Sequence, residues 1–169
     1  MSLRTINIHG WLKDVVANFA AINTYMTNDA GLGVLRVARF EFDTAGVDAN
    51  GVSNKTAAAH PTTVKLPAHA IVVGGFFDVN TLFTSLETNQ GTIAISVQGA
   101  NDIQTAAAVS GDPYSSIGRK AIVPKGNTPE STSVKTSQER AITCTVATHA
   151  LLTGKLTGYL YYVPGVASA

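Results

Sequence analysis

A single cysteine, Cys144, leaves no possibility of a disulfide within the chain, so the fold is not a stapled framework of the secreted type. Charge is scarce as well. Asp, Glu, Lys and Arg supply 14% of the 169 residues and leave a formal net charge of +1, against roughly a quarter of residues in an average soluble domain. Without a basic stripe to displace counterions from phosphates, nucleic acid is not expected as a partner. The nearest approaches to a basic cluster, Arg36 with Arg39 and Arg119 with Lys120, read as solvated strand-edge charges. No run of about 18 apolar residues occurs, and the first ten residues lack a charged segment leading into an apolar one. A membrane span and a secretory leader are therefore not expected, and synthesis in a cytoplasm is.

Catalytic and metal-binding signatures are also missing. His9, His60, His69 and His149 are dispersed, and none stands at ligand spacing from another His, Cys or Asp, so no metal or other cofactor is expected. The loop Asp48-Ala-Asn50-Gly51 opens like a calcium loop, but Ala59 stands where the bidentate acid belongs, which leaves an ordinary Asn-Gly turn. Glu41 and Asp43 put two carboxylates on one strand face, about 7 Å apart from the strand rise. Nothing in the sequence supplies the groove a glycosidase needs around them, so they read as a solvated strand end. Gly-x-Ser-x-Gly and phosphate-binding glycine loops are absent. Cys144 falls on an apolar face, where a thiol stays protonated and inert.

What remains is a chain of β character in one domain's length. Apolar residues make up 45% of it. Residues 8–26 carry the one helical period, with Trp11, Leu12, Val15, Phe19, Ile22 and Met26 at three- and four-residue steps. That amphipathic segment either packs on the rest of its own subunit or docks into a neighbour. After Gly33 the period becomes two. Strands are predicted at 34–42, 62–66, 70–83, 92–98, 120–123, 132–136, 141–147 and 155–163. Gly74-Gly75 marks a bend or bulge, where the chain would pass from one sheet to the other. The last two strands read as a hairpin through 148–154, with Ile142, Cys144, Val146, Leu156, Leu160 and Tyr162 inward and Tyr159 and Tyr161 outward. Residues 43–61, 99–120 and 124–133 read as long loops, which on a sandwich usually carry contacts. The expected class is all-β, a jelly-roll-like or related sandwich over 34–169 with an N-terminal helix or arm over 1–33.

Three stretches carry a resemblance. Leu66-Pro-Ala-His-Ala-Ile-Val-Val-Gly-Gly-Phe-Phe-Asp-Val, Ile93-Ala-Ile-Ser-Val-Gln-Gly and Leu152-Thr-Gly-Lys-Leu-Thr-Gly-Tyr-Leu-Tyr-Tyr-Val resemble capsid decoration, or cement, proteins of tailed bacteriophages. The resemblance implies a non-enzymatic virion protein that binds the major capsid protein on the outside of a shell as a homo-oligomer, a trimer. It transfers no functional residue. Such a role agrees with a charge-poor surface, which offers little repulsion against association. Contact residues are expected in the N-terminal segment, at Trp11, Val15 and Phe19, and in the first long loop, at Asp48, Asn50 and Lys55. A carbohydrate- or receptor-binding sandwich of a head fibre or tail, using Tyr159, Tyr161 and Tyr162, is the alternative.

Overall fold

The computed structural model describes residues 35–124 and 133–165. The helix expected over 8–26, and Trp11, Val15 and Phe19 with it, lies outside the described residues.

The described chain forms nine strands: β1 (Arg36–Asp43), β2 (Ala59–Leu66), β3 (Ile71–Ser85), β4 (Thr92–Ser96), β5 (Gln104–Ala108), β6 (Gly118–Ile122), β7 (Val134–Lys135), β8 (Arg140–Ala147) and β9 (Leu151–Val163). Every pairing is antiparallel. One sheet runs β1-β9-β3-β6, with β7 also on β3, and the other runs β2-β8-β4-β5. Pairings nest in sequence: β4 with β5, β3 with β6, β2 with β8, β1 with β9. A long hairpin with its apex between β4 and β5, folded over so that its strand pairs fall alternately in the two sheets, gives this order. The expected all-β sandwich is what these residues build.

Period-two alternation explains the core. Ala38, Phe40 and Phe42 of β1, Phe77 and Val79 of β3, and Leu156 and Leu160 of β9 point inward from one sheet. Ile93 and Ile95 of β4, and Ile142, Cys144 and Val146 of β8, meet them from the other. Each fully buried Phe, Leu or Ile contributes about 1.5–3 kcal/mol of apolar transfer, which is why the alternation dictates which face turns inward.

Four expectations need correction. β8 and β9 are not a hairpin, because β8 lies between β2 and β4 whereas β9 lies between β1 and β3. Strands that face each other across a core share the same inward alternation as strands side by side, so the period could not separate the two cases. β9 begins at Leu151, which leaves only three residues to cross between the sheets. Gly74-Gly75 does sit at a register shift, between Val72 and Gly74, but β3 remains in one sheet throughout. β5 lies inside the stretch read as a loop: Gln104-Thr-Ala-Ala-Ala has small side chains and no alternation, and its pairing with β4 holds it in place.

After β3 the chain reverses through Leu86–Asn89, where Glu87, Thr88 and Asn89 take left-handed φ of 54°, 57° and 61°. Ser85 anchors this turn, its N–H donating to Asn89 Oδ1 (2.8 Å) and its Oγ accepting from Gly91 N (2.7 Å). After β4, Asp102 accepts from the N–H groups of Val97, Gln98 and Gly99 at 2.7–2.9 Å, closing the connection to β5.

Tyr114 lies fully buried between Phe77 (5.6 Å, stacked) and Phe83 (5.7 Å, edge-on). Its hydroxyl has no partner among the described residues. Burial first, and the Cys144 thiol second, hold the phenol protonated. Removing an unsatisfied buried hydroxyl restores its lost solvation without emptying the site. Tyr114→Phe is therefore expected to leave stability unchanged or raise it by about 1 kcal/mol, read as an unchanged or higher urea midpoint; a fall of that size would mean the hydroxyl has a partner.

Candidate interaction surfaces

Three surfaces stand out, one on each sheet and one on the loop that leaves β1. On the outer face of the first sheet, the register lines up Val37 with Tyr161, then Arg39 with Tyr159 and Phe76, then Glu41 with Thr157 and Asp78. Phe76 stacks on Tyr159 at 4.8 Å and meets Tyr161 edge-on at 6.1 Å. Arg119 lies over the Phe76 ring at 4.2 Å while its Nε donates to Asp78 Oδ1 at 3.1 Å. Arg39 is held above its ordinary pKa first by a hydrogen bond with Tyr159 and then by Glu41. Exposed Leu35 and Val37 continue the apolar strip. Aromatics and arginines together are the composition of protein interface cores.

The expected outward placement of Tyr159 and Tyr161 holds, and Tyr162 packs against the core. Glu41 and Asp43 share a cation: Lys155 Nζ lies 3.7 Å from Glu41 Oε2 and 3.4 Å from Asp43 Oδ2. Two carboxylates bridged by an exposed lysine are a surface ion-pair network and not an acid–base couple.

The outer face of the second sheet accounts for much of the chain's shortage of charge. Ala59, Thr145 and Ala94 form one row, and Pro61, Thr143 and Ser96 the next. Lys65, at the edge, is the charged residue of this face among the three strands β2, β8 and β4, and it pairs with Glu139 at 3.0 Å. A nearly uncharged face of small side chains can be covered by another protein at little desolvation cost.

The loop 44–58 is the third surface, and only half of its logic is legible in the sequence. Asp48 turns inward: its side chain is 2% exposed. Oδ1 accepts from Asn50 N (2.8 Å) and Val52 N (2.9 Å), and Oδ2 lies 3.2 Å from His60 Nδ1. His60 Nε2 lies 2.8 Å from the Thr56 carbonyl. Burial works against the Asp48 charge, but the N–H groups of Val52 and Asn50 and the His60 ring outweigh it, so its pKa falls below the ordinary 3.8. Gly51, at φ 79°, makes the tight turn and donates to Asp48 O. Asp48 thus shapes the loop, while Asn50 and Lys55, with Val47 and Val52, form its exposed surface. The role of His60 had no sequence signal, because the pair is twelve residues apart and matches no spacing rule.

Cys144 is completely buried and its thiol is pushed up to about 12 by burial. Among the described residues no three His, Cys, Asp or Glu side chains gather as a metal site, and no helix is long and apolar enough to cross a membrane.

No family model matches the chain, and no curated protein matches it. Solved structures do. A chain of the acidic stable capsid structure of Helicobacter pylori bacteriophage KHP30 superposes with a TM-score of 0.51 at 14% identity, covering 80% of this chain and 92% of that one. A chain of the cyanophage Pam1 capsid asymmetric unit gives 0.53 at 18% identity, covering 78% and 86%. At these identities the likeness is one of fold.

Proposed function

We propose that this protein is a non-enzymatic structural protein of a bacteriophage virion, a decoration or cement protein that sits on the outside of the capsid. It would bind the major capsid protein as a homo-oligomer, a trimer, and stabilise the shell. The observation that carries this reading is the sandwich itself, matched over most of both chains by a component of two phage capsid structures. The surfaces support it. A nearly uncharged sheet face, an aromatic–arginine face and a firmly anchored loop suit broad protein contact. An oligomer that engages several shell junctions at once gains avidity of about a hundredfold or more without any new contact.

In this reading the arm of residues 1–33 contributes Trp11, Val15 and Phe19 to the contact, and the sandwich of residues 34–169 contributes Asn50 and Lys55, with Asp48 fixing the loop that presents them. The carbohydrate alternative is weaker, because a sugar would need free ring faces. Tyr159 already has Phe76 stacked on its ring, Tyr161 meets the same Phe76 edge-on, and Tyr162 packs against the core.

Light scattering on the purified protein, followed by sedimentation with shells of the phage that encodes it, tests the reading. A trimer that co-sediments is expected, with Trp11→Ala reducing the bound fraction. A monomer that stays in the supernatant would refute it.

A further inference from the structure

The two sheets part along one side of the sandwich, where edge strand β1 of one lies across from edge strand β2 of the other. Between them runs a groove of about 290 Å³. Residues 39–42 of β1 form one wall, residues 61–64 of β2 the other, and the loop 44–58 closes one end through Val47, Ala49 and Asn54. The β1 wall offers backbone. Among the described residues β1 pairs with β9 alone, so its second edge has no strand. On β2 the pairing with β8 slips between Pro61 and Lys65, and Thr62, Thr63 and Val64 bulge out of the ladder. The free edge of β1 is a template for another strand unless it is blocked, whereas on β2 the Pro61 carbonyl already accepts from Ala49 N at 2.8 Å and Val64 is held by Thr62 Oγ1.

A second observation points to an occupant. Asn54 is 6% exposed; its Nδ2 donates to the Asp43 carbonyl at 2.9 Å, but its buried Oδ1 has no partner among the described residues. Buried acceptors are almost always satisfied, and an N–H brought into the groove would satisfy this one. The charged groups here already have partners, Arg39 with Glu41 at the rim and, at the floor, Asp48 with the Asn50 and Val52 N–H groups and the His60 ring. A charged segment would have no free counterpart.

We propose that this groove receives an extended, uncharged polypeptide segment of a neighbouring shell subunit, added as a further strand on the free edge of β1. The occupant is a peptide because only a backbone supplies N–H and C=O groups at the strand repeat that the β1 edge presents. About four residues, roughly 13 Å of strand, would span the wall from Arg39 to Phe42. The inference rests on the capsid-surface reading and adds the mode of attachment.

Hydrogen exchange on the full chain, free and bound to shells from which it had been removed, tests this together with Thr63→Arg. Thr63 is exposed and lines the groove, so the arginine obstructs the groove without entering the core. Expected are slower exchange at 39–42 in the bound form, and at least tenfold weaker shell binding by Thr63→Arg at an unchanged melting temperature, with Thr63→Ser binding as the wild type does. If the wild type sediments with shells, but exchange at 39–42 is unchanged and Thr63→Arg binds normally, the groove assignment fails and the capsid reading stands. Protection of this edge already in the free protein also overturns the assignment, since the groove is then filled from within. A wild type that ignores shells overturns both.

Discussion

Gly154→Ala is expected to lower stability by about 4 kcal/mol, through two costs of about 1–3 kcal/mol each. Gly154 has φ +140°, a region that L side chains rarely adopt, and a Cβ there would lie 2.0 Å from Cδ1 of Phe83. Phe83 cannot retreat, because it is buried, stacked on Phe42 at 6.2 Å and edge-on to Tyr114. The Gly154 carbonyl also accepts from Thr44 N at 3.0 Å, where the 44–58 loop leaves β1, so strain at this point reaches that loop. A melting temperature lower by 10 °C or more is the expected reading for a domain of this size. Gly74→Ala is the control. A Cβ at Gly74 would meet nothing within 4 Å, and Gly74 has no positive φ, so its variant should melt within about 2 °C of the wild type. Equal melting of the two variants would show that the Phe83 contact is not tight.

Gly154 also marks where the sequence could be read and where it could not. Alternation set the inward faces of β8 and β9 correctly, because burying every second side chain leaves a period that needs no tertiary knowledge, whereas neither face of the 34–42 strand was clean enough in sequence to choose between them. Which strands are neighbours is a different matter. Ile142, Cys144 and Val146 would alternate in the same way beside Leu156 and Leu160 or across a core from them, and the structure has them across. β5 left no period because Ala106, Ala107 and Ala108 distinguish the two faces poorly. The surfaces divide along the same line. Tyr159 and Tyr161 were recognisable as outward from parity, and the Asn50-Gly51 turn from its residue types, because both are local. The inward turn of Asp48, the bulge at 62–64 and the meeting of β1 with β2 arise only when residues distant in sequence come together.

His60→Ala should separate the structural role of the Asp48–His60 pair from the contacts the loop makes. The substitution removes a ring that is 1% exposed, lies 6.0 Å from Phe42 and has polar partners at both nitrogens. Losing those two bonds and leaving a cavity is expected to cost about 3 kcal/mol. Acid titration supplies the more specific signature. With its folded pKa below 3.8, Asp48 adds stability that is fully present above that ordinary value and is lost as pH falls through the lower folded value. In His60→Ala one of the groups that lowers this pKa is gone while burial still raises it, so the acid-dependent loss should shrink. Denaturant midpoints measured between about pH 5 and pH 2 should therefore fall less steeply for His60→Ala than for the wild type. Parallel curves would mean that the N–H groups of Val52 and Asn50 hold the carboxylate charged by themselves, and that His60 only fills space beneath the loop.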